Sequence, residues 1–448
     1  MFVDFLLDMF RHYPEREAII WQNEGYSYER LLQTVNAWLN HPEMQAIVPG
    51  AIVALEADFS PSAIALLLTL IERGCIVVPL TESVAAKKAE FRQVAEVERI
   101  ITITPDDKVT FEVVTRHVQN ELLLTLKGQG RPGLILFSSG STGKSKAALH
   151  DFVPLLEKFK QLRNSQRMFT FLLFDHIGGI NTLLHALSNA GTVITVQDRS
   201  PDAVCAAIER HRVEVLPTSP TFINLLLLSG AYQRHDLSSL QLVTYGTETM
   251  PESTLKRFYK LFPGVRLQQT YGLSEVGILR AKSKASDSLW VKIGGQGYET
   301  RVVDGLLEIR AKSAMLGYLN APSPFTEDGW FKTGDAVEVD GEYIHILGRK
   351  SEMINVGGQK VYPAEVEGVL QSMDGVEDAT VCGEPSPITG RLVTARMKLG
   401  TSESLGEFRQ RMRAYCKDKL DNYKIPQKVV LVDSAMYGER FKKIRREG

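Results

Sequence analysis

The sequence has no CxxC pair, no excess of charge of either sign and no apolar run of membrane-spanning length. Its four cysteines, Cys75, Cys205, Cys382 and Cys416, stand far apart. That spacing suits reduced thiols in a cytoplasmic protein and offers neither a disulfide framework nor a zinc signature. Lys plus Arg (52) nearly cancels Asp plus Glu (53), so no global basic field exists to hold nucleic acid or an anionic membrane. The longest apolar stretch, residues 62–71, is about half of the roughly 20 residues a span requires, and it runs into Glu72 and Arg73. The N-terminus, MFVDFLLDMFRHYPE, is apolar but acidic and lacks a small-residue cleavage site, which argues against a signal peptide. Internal repeats and low-complexity segments are also missing.

What is present is a full core. The 448 residues are 44% hydrophobic and 23% charged, which excludes a largely disordered chain and predicts about three folding units. Residues 1–130 alternate helical and strand patterns: a helix over 30–40, a buried strand over 51–57, a helix over 62–74 and a strand over 75–80. Strand, helix, strand in that order predicts βαβ units and a parallel sheet. The rhythm returns after residue 150, with strands at 191–198, 213–218 and 239–246 and a helix over 201–212. Residues 286–346 are strand-rich with Gly turns and predict a small antiparallel barrel or sheet. Residues 350–448 read as a compact α+β tail, with helices at 363–373 and 404–420 and strands at 378–383, 393–399 and 428–433. The turn at 348–350 marks the expected boundary between a body (1–348) and a cap (349–448).

Three segments carry chemistry. In LILFSSGSTGKSKAALHD (134–151) a hydrophobic strand runs into a loop of Ser138, Ser139, Gly140, Ser141, Thr142, Gly143, Lys144, Ser145 and Lys146. Small residues let successive N–H groups turn toward one anion, and the lysines add charge. A Walker A loop needs Gly five positions before Gly143, where Ser138 stands; an ordinary Ser/Gly loop is the other reading. In QQTYGLSEVG (268–277), at the carboxyl edge of a parallel sheet, Tyr271 can pack on a flat base, Ser274 can donate to a phosphate and Glu275 can hold magnesium. A turn followed by a helix cap is the plainer alternative. In 329–367, Asp335 follows a Gly turn and can accept both hydroxyls of a ribose, with Arg349 in reach; read blandly, Asp335 is a turn residue.

Together these segments resemble the ANL superfamily of adenylate-forming enzymes: acyl- and aryl-CoA synthetases, peptide-synthetase adenylation domains and luciferases. The resemblance runs from about residue 10 to the end. SSGSTGKSK is similar to the family's phosphate loop, with Ser145 for its usual proline and Lys146 keeping its lysine. YGLSE (271–275) is similar to YGxTE, with Ser274 for Thr. GLLEIRAKSAMLGYLN (305–320), KTGD (332–335), GRKSEMINVGGQKVYPAEVE (348–367) and YKIP with VVLVD (423–433) match further family segments in order. Two positions depart from the pattern. Ser351 stands where the hinge usually has Asp or Lys. The C-terminal lysine normally follows Gly in GKxxR, but here the chain ends GERFKKIRREG, with Phe441 in place of that Gly. Lys442 and Lys443 both satisfy KxxR, with Arg445 and Arg446; counting from Val432 and Asp433 favours Lys442. A solvated basic tail is the alternative.

The resemblance implies an ANL fold, two α/β subdomains and a small β-barrel under a mobile cap. It implies ATP on the 138–146 loop, with Ser138, Ser139, Gly140, Ser141, Thr142, Gly143 and Lys146 at the phosphates. Tyr271, Gly272, Ser274 and the backbone at Gly246 would line the nucleotide, Glu275 would bind Mg²⁺, and Asp335 and Arg349 would bind ribose. His176, in FDHIGG (174–179), would stand at the mouth of the acid pocket with Thr218, Tyr245 and Gly246. The implied reaction is adenylation of a carboxylic acid, then transfer to CoA or to a phosphopantetheinylated carrier protein, with Gly357 and Gly358 admitting the pantetheine arm. Phe174-Asp175 also matches the pair with which amino-acid-activating relatives bind an amine; the following residues favour an acyl or aryl acid. The length implies a trimmed, stand-alone enzyme. A P-loop ATPase and a non-catalytic nucleotide- or acyl-binding relative are the readings from other classes.

Overall fold

In the computed structural model, which describes residues 2–139 and 144–445, the chain forms four β-sheets. The first is built on the predicted βαβ unit. The strands Ile52–Glu56 and Ile76–Leu80 pair in parallel, joined by the helix Pro61–Glu72. Both strands are buried along their whole length, as is the helix from Ala63 to Ile71, so none has the polar face that marks an amphipathic element. Ser60 caps the helix by accepting from the Ala63 N–H, with Pro61 at its first position. Gly74, at φ +71°, ends the helical segment in a conformation few other residues adopt.

The edge of this sheet carries the Ser/Gly segment. The strands Gly133–Ser139 and Ser145–Asp151 form an antiparallel hairpin, with Ser138 opposite Lys146 and Ser139 opposite Ser145. A Walker A loop leads from a strand into a helix whose N-terminus faces the phosphates; this loop leads into a strand, so the P-loop reading loses its structural context. Gly140, Ser141, Thr142 and Gly143 lie outside the described residues.

The second sheet is parallel over Arg266–Gln269, Leu242–Tyr245, Val215–Thr218, Arg167–Phe169, Thr192–Ile194 and Glu17–Trp21, with Glu24–Ser27 antiparallel at its edge. The first 130 residues are thus not one block: Glu17–Trp21 crosses over because Ile19 and Ile20 are buried against Val193 and Ile194. The third sheet is antiparallel, with seven strands between Tyr271 and Arg349. Its ladder order is linear, and an isolated bridge from Gly295 to Tyr298 brings the end of Trp290–Gly294 to the edge strand Tyr298–Val303, consistent with the expected small barrel or sheet. Its edge strand Tyr271–Leu273 follows Arg266–Gln269 after one residue, so that edge is spent on joining two sheets.

The cap has its own sheet and core. Ile354, Val366, Leu370, Phe408, Met412 and Val429 pack together beneath the long hairpin Val376–Ser386 and Gly390–Leu399. Its helix Leu405–Cys416 begins with a reciprocal Ser404–Glu407 capping box and is shorter than the predicted 404–420.

Candidate active site

The parallel strands of the second sheet end together, with Tyr245 opposite Gln269 and opposite Thr218. At Gly246 a Cβ would stand 2.7 Å from Thr270 Oγ1 and 3.0 Å from its carbonyl oxygen, so only glycine lets the two strand ends meet. Thr218 Oγ1, Tyr245 Oη and Thr247 Oγ1 are buried and have no hydrogen-bond partner among the described residues. Three orphaned hydroxyls in one neighbourhood are unusual in a packed interior and mark a place where a ligand can complete them.

Asp335 and Arg349 face each other across an antiparallel register. Arg349 Nε lies 3.1 Å from Asp335 Oδ1, and the Tyr271 hydroxyl donates to Asp335 Oδ2. Burial raises the Asp335 pKa, while Arg349 draws it back. Tyr271 is only 6% exposed; it orients the carboxylate and leaves little of its ring for a base. Gly272 and Ser274 are half-buried beside it, and the Ser274 carbonyl meets Nε2 of the buried His150.

Glu275 is half-buried and accepts from the Tyr318 hydroxyl at 2.6 Å. Lys146 stands 5.0 Å from the centre of the same Tyr318 ring, so Tyr318 links the loop lysine to the candidate metal carboxylate. Asn320 fastens the strand behind the loop, accepting from the Ala147 N–H at 2.9 Å and donating to the Ser145 carbonyl at 3.0 Å. Among the described residues no group of three or more His, Cys, Asp or Glu is placed to hold a metal alone. One hard carboxylate fits a Mg²⁺ that keeps phosphate and water ligands.

His176 caps the helix Ile177–Ser188, with Nδ1 accepting from the Gly178 N–H at 3.0 Å. That bond leaves the proton of the neutral ring on Nε2, free to donate. Burial drives the His176 pKa well down, and the Lys442 and Arg440 charges push the same way. Asp175 beside it is buried and accepts from Thr81 Oγ1 at 3.0 Å and from Arg440 at 2.8 Å.

The two rival lysines diverge. Lys442 lines a narrow cleft with Phe171, Leu172, His176, Thr247 and Phe441. Burial lowers its pKa to about 8, against the pull of Glu248 and with the push of Arg440 and Arg349. Lys443 turns away into the cap, donating to the Ala379 carbonyl at 2.7 Å and lying 3.4 Å from Asp378 and 3.7 Å from Glu367. Arg445 grips Glu367 and Glu352; Arg446 lies outside the described residues. Gly357 and Gly358 form the two-residue turn between Ile354–Val356 and Gln359–Val361, both at positive φ. Their bonds stay in the cap, to Thr389 and Asn355, and they are not among the cleft residues.

Four residues of this site had no assigned role in the sequence reading. Tyr318 and Asn320 lie in the quoted GYLN turn. Glu248, three residues after Tyr245, accepts from the Thr221 and Lys443 N–H groups. Arg440 precedes Lys442 by two. Their partners are remote in sequence, and no local pattern announces them.

A family model for AMP-binding enzymes matches residues 8–318, and one for the AMP-binding enzyme C-terminal domain matches 365–437. The chain is 27% identical to the indoleacetate–CoA ligase of Aromatoleum aromaticum, covering 94% of this chain and 92% of that one. It is 25% identical to the 2-succinylbenzoate–CoA ligase of Bacillus pumilus, with the same coverage. A solved anthranilate CoA ligase in complex with anthranoyl-AMP superposes with a TM-score of 0.78 at 19% identity, covering 98% of this chain and 95% of that one. The shared fold is that of the adenylate-forming enzymes.

Proposed function

We propose the following activity for this chain, which belongs to the AMP-binding enzyme family: it activates an organic carboxylic acid with ATP and transfers the acyl group to the thiol of CoA. In the first step the acid's carboxylate attacks the α-phosphate, a P–O bond forms, and the bond to pyrophosphate breaks. Two anions must meet, so the task of the site is neutralisation and alignment rather than proton removal. No protein nucleophile or general base is required.

The observation that carries the reading is the placement of Lys442. It enters the cleft beside His176 while feeling the charges of Glu248, Glu275 and Arg349. It is positioned to bring positive charge to the reacting phosphate. The 138–146 loop, with Lys146, would hold the outer phosphates. Asp335, oriented by Tyr271 and Arg349, is suited to the ribose hydroxyls. Glu275, steadied by Tyr318, would hold Mg²⁺, which supplies charge against the triphosphate when bound. His176 Nε2–H is suited to donate to the acid's carboxylate. Lys443 and the cap carboxylates that bind it anchor the tail.

In the second step the CoA sulfur attacks the acyl carbonyl and AMP leaves. We assign residues 1–348 to the body and 349–448 to the cap, whose rotation withdraws Lys442 and brings Gly357 and Gly358 toward the adenylate. A phosphopantetheinylated carrier presents the same thiol arm and is the alternative acceptor. Asp175 weighs against an amino-acid substrate on one side only: its Oδ2 already takes Arg440 and Thr81, so an ammonium group would compete with that guanidinium, whereas its buried Oδ1 has no partner among the described residues. All four cysteines are free, and no described helix is long and apolar enough to cross a membrane; both facts support a reducing, cytoplasmic setting.

Acid-dependent exchange of labelled pyrophosphate into ATP tests the reading. Aromatic and aliphatic acids are expected to drive exchange, and amino acids are not. Subsequent addition of CoA or of a loaded carrier identifies the acceptor. Exchange with none of a broad acid panel sinks the activity; exchange with amino acids alone sinks the assigned acid class.

A further inference from the structure

The last described residues fold into a small hairpin. Tyr437 and Lys443 bridge its base, Gly438 N–H donates to the Lys442 carbonyl at 3.1 Å, and Phe441 N–H donates to the Gly438 carbonyl at 2.8 Å. The tip is anchored in the body, while the base bonds to both lobes, its Lys443 N–H donating to Glu248 of the body at 3.1 Å. At the base, Lys443 and Arg445 are tied to Ala379 and Glu367 in the cap. At the tip, Arg440 reaches the buried Asp175 in the body at 2.8 Å. The Phe441 ring stands 5.1 Å from Phe171 and 5.6 Å, edge-on, from Phe222. The Ser219 hydroxyl donates to the Phe441 carbonyl at 2.8 Å.

Phe441 holds this place with φ at +49°, a left-handed angle that glycine takes without strain and phenylalanine does not. The turn alone therefore asks for glycine, and the aromatic residue must be supported by what its ring does. The ring fills a socket in the wall of the cleft, immediately beside Lys442. A cap that swings away must pull this ring out and strip Arg440 from Asp175, leaving that carboxylate buried with the Thr81 hydroxyl and the charge of Arg199.

We propose that Phe441 and Arg440 are positioning residues that retain Lys442 at the nucleotide and meter the handover from acid activation to thiol transfer. The inference rests on the two-step reaction proposed above. The seated ring also closes one wall of the cleft, so it shields the acyl-adenylate from hydrolysis, in which water attacks the acyl carbon and AMP leaves.

The test compares wild type, Phe441→Gly, Phe441→Leu and Arg440→Ala. Acyl-adenylate is first formed on the enzyme with ATP and acid, then mixed with CoA in a single turnover. Phe441→Gly is expected to raise the KM for ATP in exchange and to speed the CoA step, each about fivefold, a change of about 1 kcal/mol. Acid-dependent AMP release without thiol is expected to rise. Phe441→Leu, still apolar, is expected to restore most of the wild-type ratio of the two steps, and Arg440→Ala to shift it in the same direction as glycine. Amide hydrogen exchange at residues 437–443 is expected to quicken in Phe441→Gly and Arg440→Ala, a readout independent of the reaction. An unchanged ratio, a proportional loss of both steps, or unaltered hydrogen exchange overturns the proposal. If Phe441→Gly does not fold, Arg440→Ala and Phe441→Leu decide by the same criteria. Failure of wild-type exchange instead overturns the reaction itself, while the hydrogen-exchange comparison still judges the retention.

Discussion

Lys442 and Lys443 are adjacent and chemically identical, and their surroundings separate them. Lys442 faces the cleft with a pKa lowered to about 8, whereas Lys443 is consumed by Ala379, Asp378 and Glu367. Lys442→Ala is therefore expected to reduce pyrophosphate exchange by roughly 100-fold or more, the scale of losing one preorganised charge. Lys443→Ala should act mainly on stability, which parallel denaturation curves will reveal; the reverse pattern exchanges the two roles. The pH dependence follows with a definite sign. The ammonium form is the useful one, its pKa is depressed, and it is lost as pH rises through about 8. The kcat/KM for exchange should thus fall above pH 8, and Lys442→Arg should carry activity to higher pH if it retains any. The sequence narrowed the adenylating lysine to Lys442 and Lys443 through the KxxR pattern that resembles the family's, with a solvated basic tail as the alternative. It did not show Arg440, Glu248 or Tyr318, because each acts through a residue far along the chain.

Elements impose their own constraints. The helix Ile177–Ser188 lies so close to the preceding segment that a Cβ on Gly179 would collide with the Leu172 and Leu173 carbonyl oxygens. The two glycines of FDHIGG thus let the His176 cap sit against the cleft wall. Gly179→Ala is expected to destabilise the fold by about 1–3 kcal/mol, as overpacking does, and to raise the KM for the acid; unchanged stability and KM would show that the helix can step aside. In the cap, Glu367 on the helix Pro363–Gln371 is buried, yet the Arg445 and Lys443 charges outweigh desolvation and hold its pKa at about 2. Its folded pKa lies below the usual 4.5, so the stabilisation is full above that value and is lost as pH falls from about 4.5 toward 2. Glu367→Gln should lower cap stability by about 3 kcal/mol and flatten its acid dependence in that window, as urea titrations across pH will record. The strongly apolar elements, such as 52–56, 61–72 and 76–80, were legible because burial on all sides leaves an unbroken hydrophobic run. Short pieces such as Glu17–Trp21 were not, since their sheet is chosen by partners 170 or more residues away. The terminal hairpin was hidden for the same reason: in sequence it is only a basic tail.

At the scale of the molecule, the proposed swing of the cap makes closing the two lobes around Lys442 an electrostatic event. Exposed, that ammonium would keep its usual value of 10.5; enclosed beside Arg440 and Arg349 it drops to about 8. At neutral pH the charged lysine is thus buried against a penalty of roughly 3 kcal/mol. Glu248 and Glu275 already pull the other way, and a bound triphosphate adds the negative charge that removes the remainder. Closure and nucleotide binding are therefore linked, and each favours the other by the same free energy. The proton is linked too: the closed form binds it less tightly, so between about pH 8 and 10.5 rising pH should favour closure even without ATP. Distance measurements between a dye on the body and one on the cap can follow both effects. In wild type at pH 7, saturating ATP is expected to shift the population markedly toward the closed form. In Lys442→Ala the buried charge is absent, so more of the protein should be closed before nucleotide is added and ATP should shift it less. If Lys442→Ala needs ATP for closure as much as wild type does, burial of this charge does not set the balance between the lobes, and retention of the hairpin tip by Phe441 and Arg440 must set it alone.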